Sequence, residues 1–415
     1  MKEICNKAAC TGCMACLNVC SHNAINVIAD EEGFDRPHIN EESCVDCGLC
    51  HKVCPINNYP DALEPLKVYS GWSADEVVRL SSSSGGAFTE IARPILEEGG
   101  VVFGCALDEN LHAVHIYVES MEELSQRLRG SKYVQSRIGD SYSQVKKFLK
   151  QGRMVLFSGT PCQIAGLRNY LGRDYDNLIT VDLICHGVPS PMIFEDYKKY
   201  ISETQDMTIS DVKFRCKKSS WIFYNMTVTG HVEKKASPSQ YIGNYYSDPY
   251  IRGFLRDYFL RPSCHQCRFT NIKRCGDFTV ADWWGYRNNS KEDMDYEKKG
   301  VSLILCNSHK AVEISKRMKM LWRERTVEEA KKTNLSLSRP FPVQNSRKDF
   351  WKDYHTTVFP EVVNKYMSPE KLPLSTIVRM NFRDSILRTI LLKFIYKFER
   401  LMRKIGLYKL ILHTY

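Results

Sequence analysis

Residues 10–20 read CTGCMACLNVC, and residues 44–55 read CVDCGLCHKVCP. Each stretch spaces its cysteines C-x2-C-x2-C-x3-C: Cys10, Cys13, Cys16 and Cys20 in the first, then Cys44, Cys47, Cys50 and Cys54, with Pro55 following. Three thiolates two residues apart wrap a tight loop around one cubane, while the fourth, a turn further on, reaches the neighbouring one. The two ligand sets are therefore expected to cross. Cys10, Cys13, Cys16 and Cys54 would hold one 4Fe-4S cluster, and Cys44, Cys47, Cys50 and Cys20 the other. Tetrahedral zinc sites use paired C-x2-C knuckles rather than triplets. Cys5 lies outside the pattern and reads as a buried or spare thiol.

The rest of the composition sets bounds on this motif. The chain has 415 residues, 43% apolar and 26% charged, which excludes disorder and suggests two or three folded units. Nine of its 17 cysteines fall between Cys5 and Cys54. The opening MKEICNKAAC is polar where an export signal needs an apolar run, so a cytoplasmic location, reduced thiols and metal binding are expected rather than disulfides. No uncharged apolar run is long enough to span a membrane. Of the net charge of +10, the nine Lys or Arg against Asp384 and Glu399 after Ser375 account for +7, leaving +3 for the remainder. The main body therefore carries no nucleic-acid footprint.

Five segments are expected in an α+β protein. Residues 1–60 form a two-cluster bacterial ferredoxin-type module that ends in the proline-rich PINNYPDALEP. Residues 66–150 and 151–325 form the two parts of an α/β core with a mixed sheet. In the second part, MVLFSGT is a buried strand, PCQIAGLRNYL a helix with Pro161 in its first turn, and LITVDLICHG a second strand, together a βαβ crossover. A helix is expected from His309 to about Arg325. Residues 326–375 read as a linker or wrap-around segment, and 376–415 as a basic amphipathic helical tail.

The crossover brings a second set of thiols into view. Cys162 begins the crossover helix and Cys185 follows the next strand, so topology carries both to the carboxyl edge of the sheet, where α/β proteins bind ligands. Cys264 and Cys267 form a C-x2-C pair, with Cys275 eight residues on. A zinc knuckle is the rival reading of that pair, and Cys105, Cys216 and Cys306 read as core cysteines. The run SSSSGGAFTEIA has the glycine turn and following helix of an anion nest, or of a plain surface loop. No P-loop lysine and no G-x-G-x-x-G fingerprint is present, so nicotinamide binding has no support.

Taken in order, the tandem cysteine motif, SSSSGGAFTEIA, RGSKYVQS, VLFSGTPCQIAGL, VDLICHGVPSP and RPSCHQCRFTN with DFTVADWWG resemble the family of coenzyme F420 hydrogenase/dehydrogenase beta subunits over about residues 3–325. The resemblance implies an iron-sulfur flavoprotein. By it, Ser84, Gly85, Gly86 and Thr89 look like a flavin-contacting turn, and Ser131, Lys132 and Tyr133 like a second flavin-side segment. Cys162, Cys185, Cys264 and Cys267 look like the ligands of a third, inner 4Fe-4S cluster, and Cys275 is left as a spare thiol. Asp282, Trp283 and Trp284 are candidates to border the flavin.

The function expected from this reading is an FAD- and 4Fe-4S-dependent oxidoreductase. It would pass electrons between ferredoxin, or another redox protein, and a small two-electron organic substrate, in either direction. Service in surface-polysaccharide biosynthesis is part of the expectation, with a non-catalytic electron-transfer subunit of a larger complex as its alternative. A cysteine-thiol or zinc enzyme and a regulatory sensor are rival classes. No catalytic residue is singled out; His186 is either a proton donor or a structural imidazole. The tail, with Leu387, Leu391, Phe394, Phe398, Met402 and Ile405 on one face and Lys393, Lys397, Arg400, Arg403 and Lys404 on the other, either packs on its own domain or lies on the inner membrane face.

Overall fold

Each cysteine stretch forms a loop closed by a short helix, Ala15–Val19 in the first and Leu49–Lys52 in the second. An antiparallel hairpin of β1 (Ile25–Ala29) and β2 (Asp35–Ile39) separates them. The structure, a computed structural model, describes residues 3–218, 220–233, 235, 237–284, 296–369, 371–381, 386–404, 406, 408 and 412–414.

The core is a mixed α/β structure. Its strands are β3 (Lys67–Ser73), β4 (Val101–Leu107), β5 (Ala113–Val118), β6 (Val155–Gly159) and β7 (Leu178–Leu183), followed later in the chain by three more. Between them β8 (Thr208–Cys216), β9 (Asn225–His231) and β10 (Ser239–Asn244) make a separate antiparallel sheet. Then β11 (Phe278–Asp282), β12 (Ser302–Cys306) and β13 (Met320–Glu324) complete an eight-stranded sheet in the order β13-β3-β12-β11-β7-β6-β4-β5. The central strands β4, β6, β7 and β11 run parallel, so their carboxyl ends share one edge. Alternation along the strands fills both faces: Phe103, Val155 and Phe157 point to the ferredoxin-side core, and Val102, Leu156 and Ile179 to the opposite one.

The crossover helix Pro161–Leu171 shows why this segment folds locally. Thr160 and Gln163 form a capping box, Pro161 stands in the first turn, and Gly172 ends the helix. The helix Ala15–Val19 packs on it. Gly166 makes that approach possible, since a Cβ there would stand 2.9 Å from Cys13 Sγ. Polar ties add to the join: Arg168 Nη1 donates to Asp61 O at 2.6 Å, Arg268 Nη1 to Ile56 O at 2.7 Å, and Arg347 pairs with Glu32.

Tertiary structure revises the helix expected from His309 to about Arg325. The helix that begins at His309 ends at Ser315, and Met320–Glu324 is the edge strand β13, paired antiparallel with β3. Lys, Arg, Met and Leu favour helix, but pairing with the open flank of β3 and the stack of Trp322 on Tyr69 at 4.6 Å outweigh that preference. Residues 326–375 contain the helix Ser346–Thr356, whose Phe350 and Trp351 are buried with Phe254 and Tyr258. In the tail, the helix Ile386–Lys404 lies beside Leu374–Asn381, joined by Glu399, which accepts from Ser375 N and Oγ at 2.8 Å each. Arg383 and Ile405 lie outside the described residues.

Candidate functional site

Three rings of thiols and one large cavity follow from this arrangement. Cys10, Cys13, Cys16 and Cys54 line one small cavity, and Cys20, Cys44, Cys47 and Cys50 line another. The first is sealed against the core and the second lies toward the surface, where Cys47 is exposed. Cys5, unassigned by spacing, lines the first cavity too. Hydrogen bonding with the neighbouring thiols of Cys10 and Cys54, followed by burial, raises its pKa.

The third ring comes from four separate places in the sequence. Cys162 opens the crossover helix, Cys185 follows β7, and Cys264 and Cys267 belong to the turn Pro262–Gln266 and the residue after it. Burial pushes the Cys264 thiol up to about 12 and Cys267 to about 11, and the charge of Cys162 raises both further. Cys185 is raised by burial and then by Cys264, Cys162 and Cys267. The ring meets the first one, since burial and then Cys16, with Cys162 after it, raise Cys13. Cys275 is buried beside Tyr59 in the ferredoxin-side core, apart from this ring. Among the described residues no three His, Cys, Asp or Glu side chains close to the spacing of a single ion. A cubane asks for a wider ring, because its irons and sulfides fill the middle, and the thiols around the two small cavities fit that group.

A buried ion pair that sequence reading missed holds the third ring in place. Arg274 and Asp182 are 1% and 0% exposed at their side chains, with Arg274 Nη2 2.9 Å from Asp182 Oδ1. Arg274 also donates to the carbonyls of Phe269 (3.1 Å), Asn271 (3.0 Å) and Leu183 (2.8 Å). It thereby ties the loop after Cys267 to the strand end before Cys185. The only sequence signal was an acid inside an otherwise apolar strand, DLIC, which needs a partner once buried.

The large cavity, about 460 Å³, opens at the carboxyl edge of the parallel strands. That size and position suit a small-molecule or cofactor site. Ser84, Gly86, Thr89, Ser131, Lys132 and Tyr133 line it, as do Cys162 and Cys185 from the third ring. Gly85 lies just behind, where a Cβ would meet Gly71 O at 2.5 Å and Ser302 N at 2.7 Å. Gly86, at φ +96°, begins the helix Ala87–Glu97 with no side-chain cap, leaving the first-turn N–H groups free for an anion. The buried Thr89 Oγ1 in that turn has no hydrogen-bond partner. A pyrophosphate fits these donors.

The turn is braced from two sides. Lys217 Nζ donates to the carbonyls of Ser84, Arg79 (2.7 Å) and Lys299 (2.5 Å), and burial lowers its pKa to about 7. Ser131 N donates to Ser83 Oγ at 2.9 Å, which joins the two segments that the sequence singled out separately. Lys132 lines the cavity with its Nζ donating to the carbonyls of Arg127, Leu128 and Arg129. Tyr133 stacks on Phe254 at 4.9 Å. Asp282 and Trp284 line the cavity, whereas Trp283 is buried in a separate core cluster. His186 lines it as well, and its Nε2 lies 2.6 Å from Asp257 Oδ1.

Comparison with known proteins adds to this geometry. Residues 68–140 and 152–331 match the amino-terminal and carboxyl-terminal parts of the beta subunits described as "Coenzyme F420 hydrogenase/dehydrogenase", and residues 9–58 match "4Fe-4S dicluster domain". The F subunit of the F(420)H(2) dehydrogenase of Methanosarcina mazei is 25% identical over 175 residues, 40% of this chain and 49% of that one. An uncharacterised polyferredoxin-like protein of Methanocaldococcus jannaschii is 37% identical over 65 residues, 14% of this chain and 39% of that one. The chain thus spans about half, or less, of the curated relatives it matches. A chain of the F420-reducing nickel-iron hydrogenase complex of Methanosarcina barkeri aligns over 75% of this chain and 98% of its own length, at 14% identity and a TM-score of 0.42.

Proposed function

Because this chain belongs to the family of coenzyme F420 hydrogenase/dehydrogenase beta subunits, we propose that it is an iron-sulfur electron-transfer subunit of a larger redox complex. The observation that carries this reading is the meeting of two thiol rings at the Gly166 contact. There the ferredoxin-module thiol Cys13 lies within the electrostatic reach of Cys162 from the core. When bound, 4Fe-4S clusters carry single electrons and a flavin exchanges one-electron for two-electron chemistry.

The residues of this chain supply the rest. The twelve cysteines of the three rings would hold the clusters. Gly85, Gly86 and Thr89, braced by Lys217 and Ser83, would hold the pyrophosphate of FAD against the uncapped helix. The exposed edge at Cys47, flanked by exposed Val45 and Leu49, would receive a one-electron protein partner. A second reading, turnover of a small organic substrate, rests on an aromatic pocket of about 350 Å³ formed by Trp221, Ile222, Tyr224, Tyr245, Leu255 and Trp284. Tyr224, Leu255 and Trp284 belong to the large cavity as well, so a ring seated there would face whatever occupies it. The expected link to surface-polysaccharide biosynthesis draws no support from the site or from the relatives.

Among the described residues no helix is long and apolar enough to cross a membrane. The tail helix exposes Phe394, Phe398 and Leu401 beside Lys397, Arg400 and Lys404, a surface suited to peripheral contact with anionic lipid. Purification without oxygen, with iron, acid-labile sulfide and flavin measured per chain, tests the main reading. It requires about twelve irons and equimolar flavin. About eight irons without flavin would leave the ferredoxin module alone standing and remove the third ring and the large cavity from the proposal.

A further inference from the structure

Arg261 is buried to 1% exposure at the seam between the first and third thiol rings. Its Nε donates to Cys10 O at 2.9 Å, Nη1 and Nη2 donate to Asp35 O at 3.3 and 3.2 Å, and Nη2 lies 3.9 Å from Cys10 Sγ. Its main chain belongs to the other side of the seam. Arg261 N donates to Val188 O at 2.9 Å, and Cys264 N donates back to Arg261 O at 2.8 Å. Gly12, at φ +70°, makes room for the guanidinium, since a Cβ there would stand 2.7 Å from Arg261 Nη1.

Asp30 acts on this charge only from a distance, without direct contact. Among the described residues none forms an ion pair with Arg261, and the acids of the adjacent hairpin, Asp30 and Asp35, pair with Arg36 and Arg137 instead. Taking a lone guanidinium out of water costs several kcal/mol unless an anion compensates. The thiol-bearing residues beside it come from two different rings: its Nη2 stands 3.9 Å from Cys10 Sγ on one side, and on the other its carbonyl receives the N–H of Cys264, three residues on. A cubane held by four thiolates is negative and gains a further charge on reduction, so a fixed cation in a water-poor seam stabilises the reduced form.

We propose that Arg261 is a positioning residue that serves as the shared counter-cation of two clusters, the one at Cys10 and the one at Cys264, and holds both reduction potentials above the values they would otherwise have. The cluster at Cys20, Cys44, Cys47 and Cys50 lies outside its reach and provides an internal control. This inference rests on the cluster assignment of the proposed function.

The test is an EPR-monitored redox titration of the anaerobically purified full chain, wild type beside Arg261→Gln and Arg261→Lys, with iron counted first. In Arg261→Gln the midpoints of two clusters move to more negative potential and the third stays; Arg261→Lys, which keeps the charge, restores most of the shift. Unmoved midpoints, an equal shift of all three, or the full shift in the lysine variant as well would overturn the role. If Arg261→Gln fails to assemble its clusters, assembly with near wild-type potentials in Arg261→Lys supports the charge, and failure of both variants refutes it in favour of packing. A wild-type chain with about eight irons would instead refute the underlying cluster assignment, so the two failures are distinguishable.

Discussion

Replacing Arg274 by Gln should remove the inner thiol ring while sparing the ferredoxin module. The side chain makes five hydrogen bonds to Asp182, Phe269, Asn271 and Leu183, plus one to Thr279 Oγ1 at 3.2 Å, all in a region closed to solvent. Removing one partner of a buried ion pair costs about 3–5 kcal/mol, because the other charge is left without compensation. Asp182 keeps the hydrogen bonds from Thr279 Oγ1 (2.7 Å) and Gly276 N (3.0 Å), so the lower end, about 3 kcal/mol, is expected. That is a large share of the roughly 5–15 kcal/mol by which domains are stable. The damage is local: the loop after Cys267 loses its tie to the strand end before Cys185. Anaerobic urea unfolding should give the loss, and iron analysis should fall by about four per chain, a single cubane. Asp182→Asn together with Arg274→Gln should cost less than the sum of the single changes, since neither charge is then orphaned. Full iron content and a stability change under about 1 kcal/mol in Arg274→Gln would refute this account of what assembles the ring.

Further outcomes follow from single positions. Gly166→Ala gains up to about 1 kcal/mol of helix propensity but drives a Cβ to 2.9 Å from Cys13 Sγ, and overpacking costs about 1–3 kcal/mol. Net destabilisation, with weaker magnetic coupling between clusters in EPR spectra, is expected; a more stable protein with unchanged coupling would contradict the contact. Gly85→Ala presses against backbone at Gly71 and Ser302, which cannot swing aside, so flavin content should drop while iron content holds; equal flavin in both proteins would exclude the turn as its seat. His115 is neutral in the fold, with burial lowering its pKa from 6.5 to about 4 and its Nε2–H donating to Ser158 O at 3.1 Å. Its folded pKa is depressed, so its contribution is complete above pH 6.5 and is lost as pH falls toward 4, by roughly 3 kcal/mol in all. Unfolding midpoints at pH 7 and pH 5 should differ less in His115→Phe than in wild type, and identical pH dependence would count against a buried neutral imidazole.

Much of the fold was legible because it is local. The strand and helix of MVLFSGTPCQIAGL carry their own signals, an apolar run, a proline in the first helical turn and a capping residue. Ala113–Val118 is marked as a strand by its β-branched and aromatic content. Met320–Glu324 carried no such signal, since its helix-favouring residues become a strand only through β3 alongside. Lys132 illustrates the same limit at the site: nothing in its sequence context shows that three main-chain carbonyls of the preceding helix end receive its ammonium.

Spacing alone groups Cys54 with Cys10, Cys13 and Cys16, because a C-x2-C-x2-C loop leaves its fourth thiol a turn away, and the fold lines a single cavity with those four together with Cys5. No comparable rule groups Cys162, Cys185, Cys264 and Cys267. Their meeting depends on parallel strands sharing a carboxyl edge and on Arg274 clasping Asp182 across more than ninety residues of chain. The same holds for Arg261, an ordinary arginine in the sequence, which acquires its place only when the ferredoxin module docks on the crossover helix and shuts out water. What the sequence determined by itself were the groups that short-range backbone geometry can gather; what the tertiary structure decided were the burial and long-range pairing that bring scattered thiols and a buried cation beside one another.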